Sequence, residues 1–193
     1  PDGRLVTHNL LSETPEQYRD AAVQGIRELM GLKPGEPVPA EQIEAVKMGT
    51  TVATNALLER KGERTLLVTN VGFADALRIG YQERPRLFER RIVLPELLYE
   101  RVVEVPGRLS AAGEELGPLD LAAARRALEQ AWRDGLRACA IVFMHGYRYP
   151  QHERAVAALA REVGFTQVSA SHEVSPLIKF VGRGDTTVVD AYL

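Results

Sequence analysis

The chain has 193 residues, 45% of them hydrophobic and 26% charged, with a formal net charge of -2. That length suits one generous domain, and the near-balanced charge argues against nucleic acid or an anionic membrane surface as a partner. A single cysteine excludes an internal disulfide framework. With no apolar run of transmembrane length and no signal-peptide pattern, the setting expected is cytoplasmic.

In chain order, residues 1–3 carry a turn signature and Arg4 to Leu10 read as a strand. Thr14 is placed as the N-cap of a helix, with Pro15 as its first residue and Gln17 closing a capping box. That helix presents Tyr18, Ala22, Gly25, Ile26 and Leu29 on one face and is expected to end near Gly31. Three prolines between 33 and 39 exclude helix and mark a loop. Residues 45–48 read as a short buried strand. Gly49, Thr50 and Thr51 form a junction, followed by a helix through Ala56, Leu57 and Leu58 to Gly62. A second buried strand over 64–69 would complete a parallel βαβ crossover.

Residues 72–79 predict a short helix closing at Gly80, and 81–95 a polar, proline-containing loop. Tyr99 to Val105 predicts a strand and 108–117 a surface hairpin. Asp120 caps an amphipathic helix from Leu121 to Arg133, ended by Gly135. A buried strand follows over 138–144, with Cys139 as a small core residue rather than a nucleophile. Residues 150–163 predict a helix ending at Gly164, 167–171 another strand, and Thr186 onward a last helix. Alternating helices and strands predict an α/β fold with a mixed, largely parallel sheet flanked by helices. A single domain over 1–193 is expected, with an irregular excursion at 81–118. The first residue is not methionine and the last pattern stops without a cap, so a fragment incomplete at both ends is expected.

Ligands in open parallel sheets collect beyond the carboxyl ends of the strands. The segments expected there are Gly49-Thr50-Thr51, Thr69-Asn70, and 145–148, with 183–186 just before the last helix. Thr50 and Thr51 offer hydroxyls at a helix start, and Asn55 follows Thr51 by one turn. The alternative is an ordinary N-cap and a locally satisfied Asn55. His145 sits at a strand end, where either a direct or a structural role fits. Arg183 suits a carboxylate or phosphate clamp. Asp185 reads either as a group orienting water or metal or as a helix N-cap, and Arg183 equally as a surface pair. His152 and Glu153 lack a second histidine one turn later, so no zinc-protease motif is present and no metal site is expected in this chain.

The stretch from Met48 to Gly62 resembles the signature of the hydantoinase A / ATP-dependent 5-oxoprolinase family. The resemblance extends over almost the whole chain, through Leu10 to Glu13, Gly72-Phe73, Arg78 to Gly80, Leu94 to Glu100, Met144-His145, Gln151 to Glu153, Leu159 to Glu162, Gly164-Phe165 and Asp190 to Leu193. Leu94 to Val105 and Gln151 to Phe165 are closer to the 5-oxoprolinase branch. It implies an actin-like ATPase fold (an RNase-H-like half) and an ATP-dependent ring opening of 5-oxoproline to glutamate, with Mg2+ as companion cation. It further implies a nucleotide site mostly outside this chain, a hydantoinase-B subunit or fused domain as partner, an oligomeric assembly, and an inactive fragment. By position, Gly49, Thr50, Thr51 and Asn55 match the family's best-marked motif and Arg183 and Thr186 its closing one; we infer Thr51 and Arg183 as the catalytic candidates, and Gly49, Thr50, Asn55, Thr186 and, from its strand-end position, His145 as the substrate-binding ones. Two residues depart from the family pattern. Asn9 replaces a common lysine, and Asp185 stands where the residue is often uncharged or histidine. The alternatives are an N-methylhydantoinase or acetone-carboxylase-type subunit, or a non-catalytic scaffold whose Gly49-Thr50-Thr51 unit meets a partner.

Overall fold

The computed structural model describes residues 3–11, 16–82, 88 and 90–193. The chain divides into two compact units, Pro1–Thr50 and Thr51–Leu193. The described residues of the first unit form α1 (Ala21–Leu29) and a 3-10 turn at Ala40–Gln42. The capping box at Thr14 lies outside the described residues. The helix starts later, at Asp20, whose carboxylate accepts from the Val23 N–H at 3.0 Å. Its end falls as expected, with Gly31 at φ 68 just beyond Met30.

Two predicted strands do not form. Arg4–Leu10 and 45–48 are irregular, and Leu5, Val6, Val46 and Met48 stay exposed. A strand is stable only with a ladder partner, and neither segment has one among the described residues. The βαβ crossover expected around Gly49-Thr50-Thr51 is therefore absent.

The second unit begins with α2 (Val52–Leu58). It stops four residues short of Gly62, because Arg60 takes the left-handed turn at φ 55 and Lys61 N–H reaches back to Ala56 O at 2.9 Å. Gly62 has another task. A Cβ there would collide with the ring and carbonyl of Tyr192, whose carbonyl also accepts from Glu63 N–H.

The sheet is built from β1 (Thr65–Asn70), β2 (Tyr99–Val105), β5 (Ala138–Val142) and β6 (Gln167–Ala170). All are parallel, in the order β2-β1-β5-β6. Between them lie α3 (Ala76–Ile79), the antiparallel ribbon β3 (Arg108–Leu109) and β4 (Glu115–Gly117), α4 (Leu121–Arg133) and α5 (Gln151–Val163). The chain closes with α6 (Ser171–Val174) and α7 (Phe180–Tyr192). The excursion expected over 81–118 thus contains a full strand of the main sheet as well as the ribbon.

Strand alternation sends side chains to two cores. Leu66, Val68, Cys139 and Ile141 pack with α4 and α5, whereas Leu67, Ala140 and Val142 pack with Leu77, Val188 and Ala191 from α3 and α7. Both faces are covered, which explains why β5 reads as an unbroken apolar run and why every residue of β1 is buried. Cys139 is fully buried, and burial pushes its thiol up to about 12, so it is inert core as expected.

Candidate functional site

At the carboxyl end of the parallel sheet the chain makes a closed polar lattice. Thr69 donates to Val142 O at 2.9 Å. Asn70 is buried, gives its amide to Gly107 O at 2.7 Å, and accepts from Met144 N–H at 2.7 Å. Thr69 and Asn70, expected beside a ligand, instead bind the strand ends to one another. Glu104 performs a similar task at the edge, where its Oε1 accepts from the N–H groups of Gly72, Phe73 and Ala74 at 2.6, 3.2 and 3.2 Å.

The densest polar group surrounds Phe143, one residue past β5. Its N–H donates to Glu153 Oε1 at 2.8 Å, and its carbonyl accepts from Arg183 Nη2 at 2.6 Å. Glu153, in the first turn of α5, has no exposed surface and also accepts from Ser171 Oγ at 2.6 Å. Its other oxygen takes the N–H of His172 at 3.0 Å and approaches His172 Nδ1 at 2.7 Å. Arg183 is 1% exposed, and its remaining nitrogens donate to Ser171 Oγ at 2.9 Å and Leu177 O at 2.8 Å. Burial lowers the guanidinium's pKa, with Glu153 and then Tyr147 pulling it back up. Buried charged side chains persist only when hydrogen-bond partners satisfy them so fully.

This geometry corrects the expectation for 183–186. These residues lie inside α7, which begins at Phe180, so Asp185 is no N-cap. Arg183 is neither a surface pair nor an open anion clamp, because all its nitrogens are committed to protein acceptors. Thr186 is exposed and donates to Gly182 O at 2.9 Å. The helix starts early because Phe180 and Val181 pack on the core formed with Val188.

His145 lies in the turn that Glu153 and Arg183 hold, at φ 61, with Arg148 and Tyr149 N–H groups on its carbonyl. Burial first, and then the positive charges of Arg108 and Arg183, push its imidazole below the ordinary 6.5. Between that depressed value and 6.5 the unfolded chain binds more protons than the folded one. His145 therefore makes stability rise with pH through this window, a contribution lost as pH falls through it. An NMR titration should place the His145 midpoint below 6.5, and Arg108→Ala should move it upward; a midpoint at or above 6.5 would contradict the arrangement.

Gly49 and Thr50 end the first unit, and Thr51 opens the second. All three are exposed, as is Asn55. Thr51 precedes α2 without a side-chain cap bond, and its carbonyl accepts from Asn55 N–H at 2.8 Å. The residues missed in the sequence are Glu153, Ser171 and His172. A signal for the first was available: Glu153 shares the α5 stripe of Val156, Ala157 and Ala160, a carboxylate on an apolar face.

Among the described residues no group of three or more His, Cys, Asp or Glu side chains could hold a metal ion, and no helix is long and apolar enough to cross a membrane. The profile of the hydantoinase/oxoprolinase N-terminal region matches residues 1–164. A 5-oxoprolinase of Dictyostelium discoideum is 39% identical across 97% of this chain, and 5-oxoprolinase 1 of Arabidopsis thaliana 40% across 100%. In each case the match spans only 17% of the relative's length. Multi-subunit proteins occur among the relatives, including the caprolactamase alpha subunit of Pseudomonas jessenii, 37% identical over 75% of this chain and 22% of that subunit. The crystal structure of the ATP-dependent caprolactamase from that organism superposes with a TM-score of 0.73 at 30% identity, covering 94% of this chain and 27% of that one. A nucleotide-free acetone carboxylase gives 0.64 at 25% identity, over 72% and 22%. By profile, sequence and parallel α/β architecture, the chain belongs to the hydantoinase/oxoprolinase N-terminal region family.

Proposed function

We propose that this chain is part of an ATP-dependent cyclic amidohydrolase that opens 5-oxoproline to glutamate. The observation that carries this is its 39% and 40% identity to two 5-oxoprolinases over 97% and 100% of its length. ATP, when bound, supplies the phosphoryl group that activates the lactam carbonyl oxygen toward water. In this reading Thr51 and Asn55, together with Gly49 and Thr50 of the same motif, donate hydrogen bonds to the substrate's carboxylate or developing oxyanion. Thr51 and Asn55 are exposed at the start of α2. His145 contributes a neutral, depressed imidazole to substrate binding, and exposed Thr186 a hydroxyl. Arg183 acts through the turn it holds rather than by touching substrate.

No Mg2+ ligand is assigned within the chain, and the cation would enter with the nucleotide. A hydantoinase-B subunit or fused domain, an oligomeric assembly and a cytoplasmic setting complete the proposal. The chain on its own is expected to be inactive.

The test is 5-oxoproline-dependent ATP hydrolysis by the full-length protein. Thr51→Ala should lower turnover by about 10²-fold with little change in melting, as for removal of a preorganised donor. Unchanged turnover would favour a scaffold role for the motif. Coupling to hydantoin or caprolactam in place of 5-oxoproline would move the protein to a neighbouring branch.

A further inference from the structure

Three loops leave the carboxyl ends of β1, β2 and β5, carrying Phe73, Arg108 and His145 respectively. The guanidinium of Arg108 lies over the Phe73 ring, 4.7 Å from its centroid. Phe73 is 5.5 Å from the ring of Phe180 at the start of α7, and Arg183 lies 5.6 Å from that same Phe180 ring. The two arginines use their stacked positions differently. Arg183 turns its N–H groups inward onto Ser171, Leu177 and Phe143. Arg108 is half-buried and stacks by its face, which spends none of its N–H groups. The edge of a stacked guanidinium is a planar fork of donors that matches a carboxylate.

The ribbon that carries Arg108 is held in place. Glu115 on β4 meets His152 Nε2 at 3.2 Å, and the Tyr149 ring sits where a Cβ on Gly113 would come within 2.6 Å of it. The acids around it are committed, Glu104 to the N–H groups of residues 72–74, Glu115 to His152 and Glu153 to its enclosed donors. The charges of Arg108 and Arg183 both act on the half-buried His145 imidazole, second to its burial, so the turn lies in a positive field. Such a field repels an ammonium, and an uncharged ring would leave the fork unused.

We propose that Arg108 is a specificity-determining residue of the lactam site, holding the carboxylate of 5-oxoproline on its outward N–H edge with His145 donating a second hydrogen bond. This rests on the ring-opening reading, and it leaves the Thr51 motif to the developing oxyanion.

The experiment compares 5-oxoproline with 2-pyrrolidinone, the same ring without the carboxylate, in the full-length protein. Calorimetry without ATP reads binding, and lactam-dependent ATP hydrolysis reads KM and kcat. Arg108→Met keeps a chain against Phe73 and removes the fork. It should raise Kd and KM for 5-oxoproline at least about tenfold, the factor for one charge-assisted bond, and act much less on 2-pyrrolidinone. Arg108→Lys should regain part of the loss. Arg148→Met, which removes an exposed guanidinium of the neighbouring turn, should cost far less than Arg108→Met. Equal losses on the two lactams would make Arg108 a structural residue and overturn the proposal, as would an unchanged KM for 5-oxoproline or an equal effect of Arg148→Met. If 5-oxoproline binds through Arg108 but stimulates no ATP hydrolysis, the ring-opening reading fails and the carboxylate subsite stands. If 5-oxoproline is turned over and Arg108→Met keeps the preference for it, the subsite fails alone.

Discussion

Replacing Glu153 by alanine should lower the unfolding free energy by about 3 kcal/mol or more, because several buried donors lose one shared acceptor. The carboxylate is fully enclosed and serves Phe143 N–H, Ser171 Oγ and both donors of His172. Without it those four donors lose their acceptor, and buried Arg183, linked to Glu153 through Ser171 and Phe143, loses a negative charge that favours its ionised form. Each buried donor left unpaired costs on the order of 1–3 kcal/mol before relaxation. Urea denaturation followed by circular dichroism measures the loss directly. The double variant Glu153→Met with Arg183→Met should recover little of it, because Phe143 N–H and the two donors of His172 still lack their acceptor. A loss below about 1 kcal/mol in Glu153→Ala would show that the lattice is not what holds the strand ends.

Gly146→Ala should destabilise by about 3 kcal/mol, the upper end for an added methyl in a close-packed site. A Cβ at this position would press on Glu153 Oε1, lie 2.6 Å from its Cδ and 3.1 Å from Phe143 O. The side chain cannot swing away, since its oxygens are fixed by the four donors named above. The cost is steric alone, because Gly146 is not among the glycines with positive φ. A double-mutant cycle separates this from a general intolerance of the turn: in a Glu153→Ala background the same methyl should cost much less, giving strong non-additivity. Additive losses would place the strain elsewhere. The His145 titration should also move in Gly146→Ala, since the two residues are adjacent in one turn.

Both results concern residues whose signal along the chain is partial, for Glu153 only a carboxylate on the apolar stripe of α5. Glu153 lies between a histidine and an arginine, like any polar residue at a helix start, and Gly146 in a run that suits a loop. Their importance follows from the register that sets Phe143 beside α5 and α7. Arg183 illustrates the same limit in reverse. Its charge and neighbours suit an anion clamp, and only the packing of α7 turns it inward onto Ser171, Leu177 and Phe143.

Local pattern along the chain is enough to specify β1, β2, β5 and β6, the hairpin over 108–117, and α4 and α5 with their caps at Asp120 and Gly164. In these segments local propensity, capping chemistry and burial all agree, so short-range pattern suffices. The family signature over Met48 to Gly62 was also legible, since it depends on residue identity rather than on contacts. Tertiary structure alone decided that 4–10 and 45–48 form no strands, because a strand depends on a neighbour that the segment itself does not encode. It also decided which polar groups face one another at the carboxyl end of the sheet, since Glu153 and Arg183 are thirty residues apart in the chain and meet only when β5, α5 and α7 have packed.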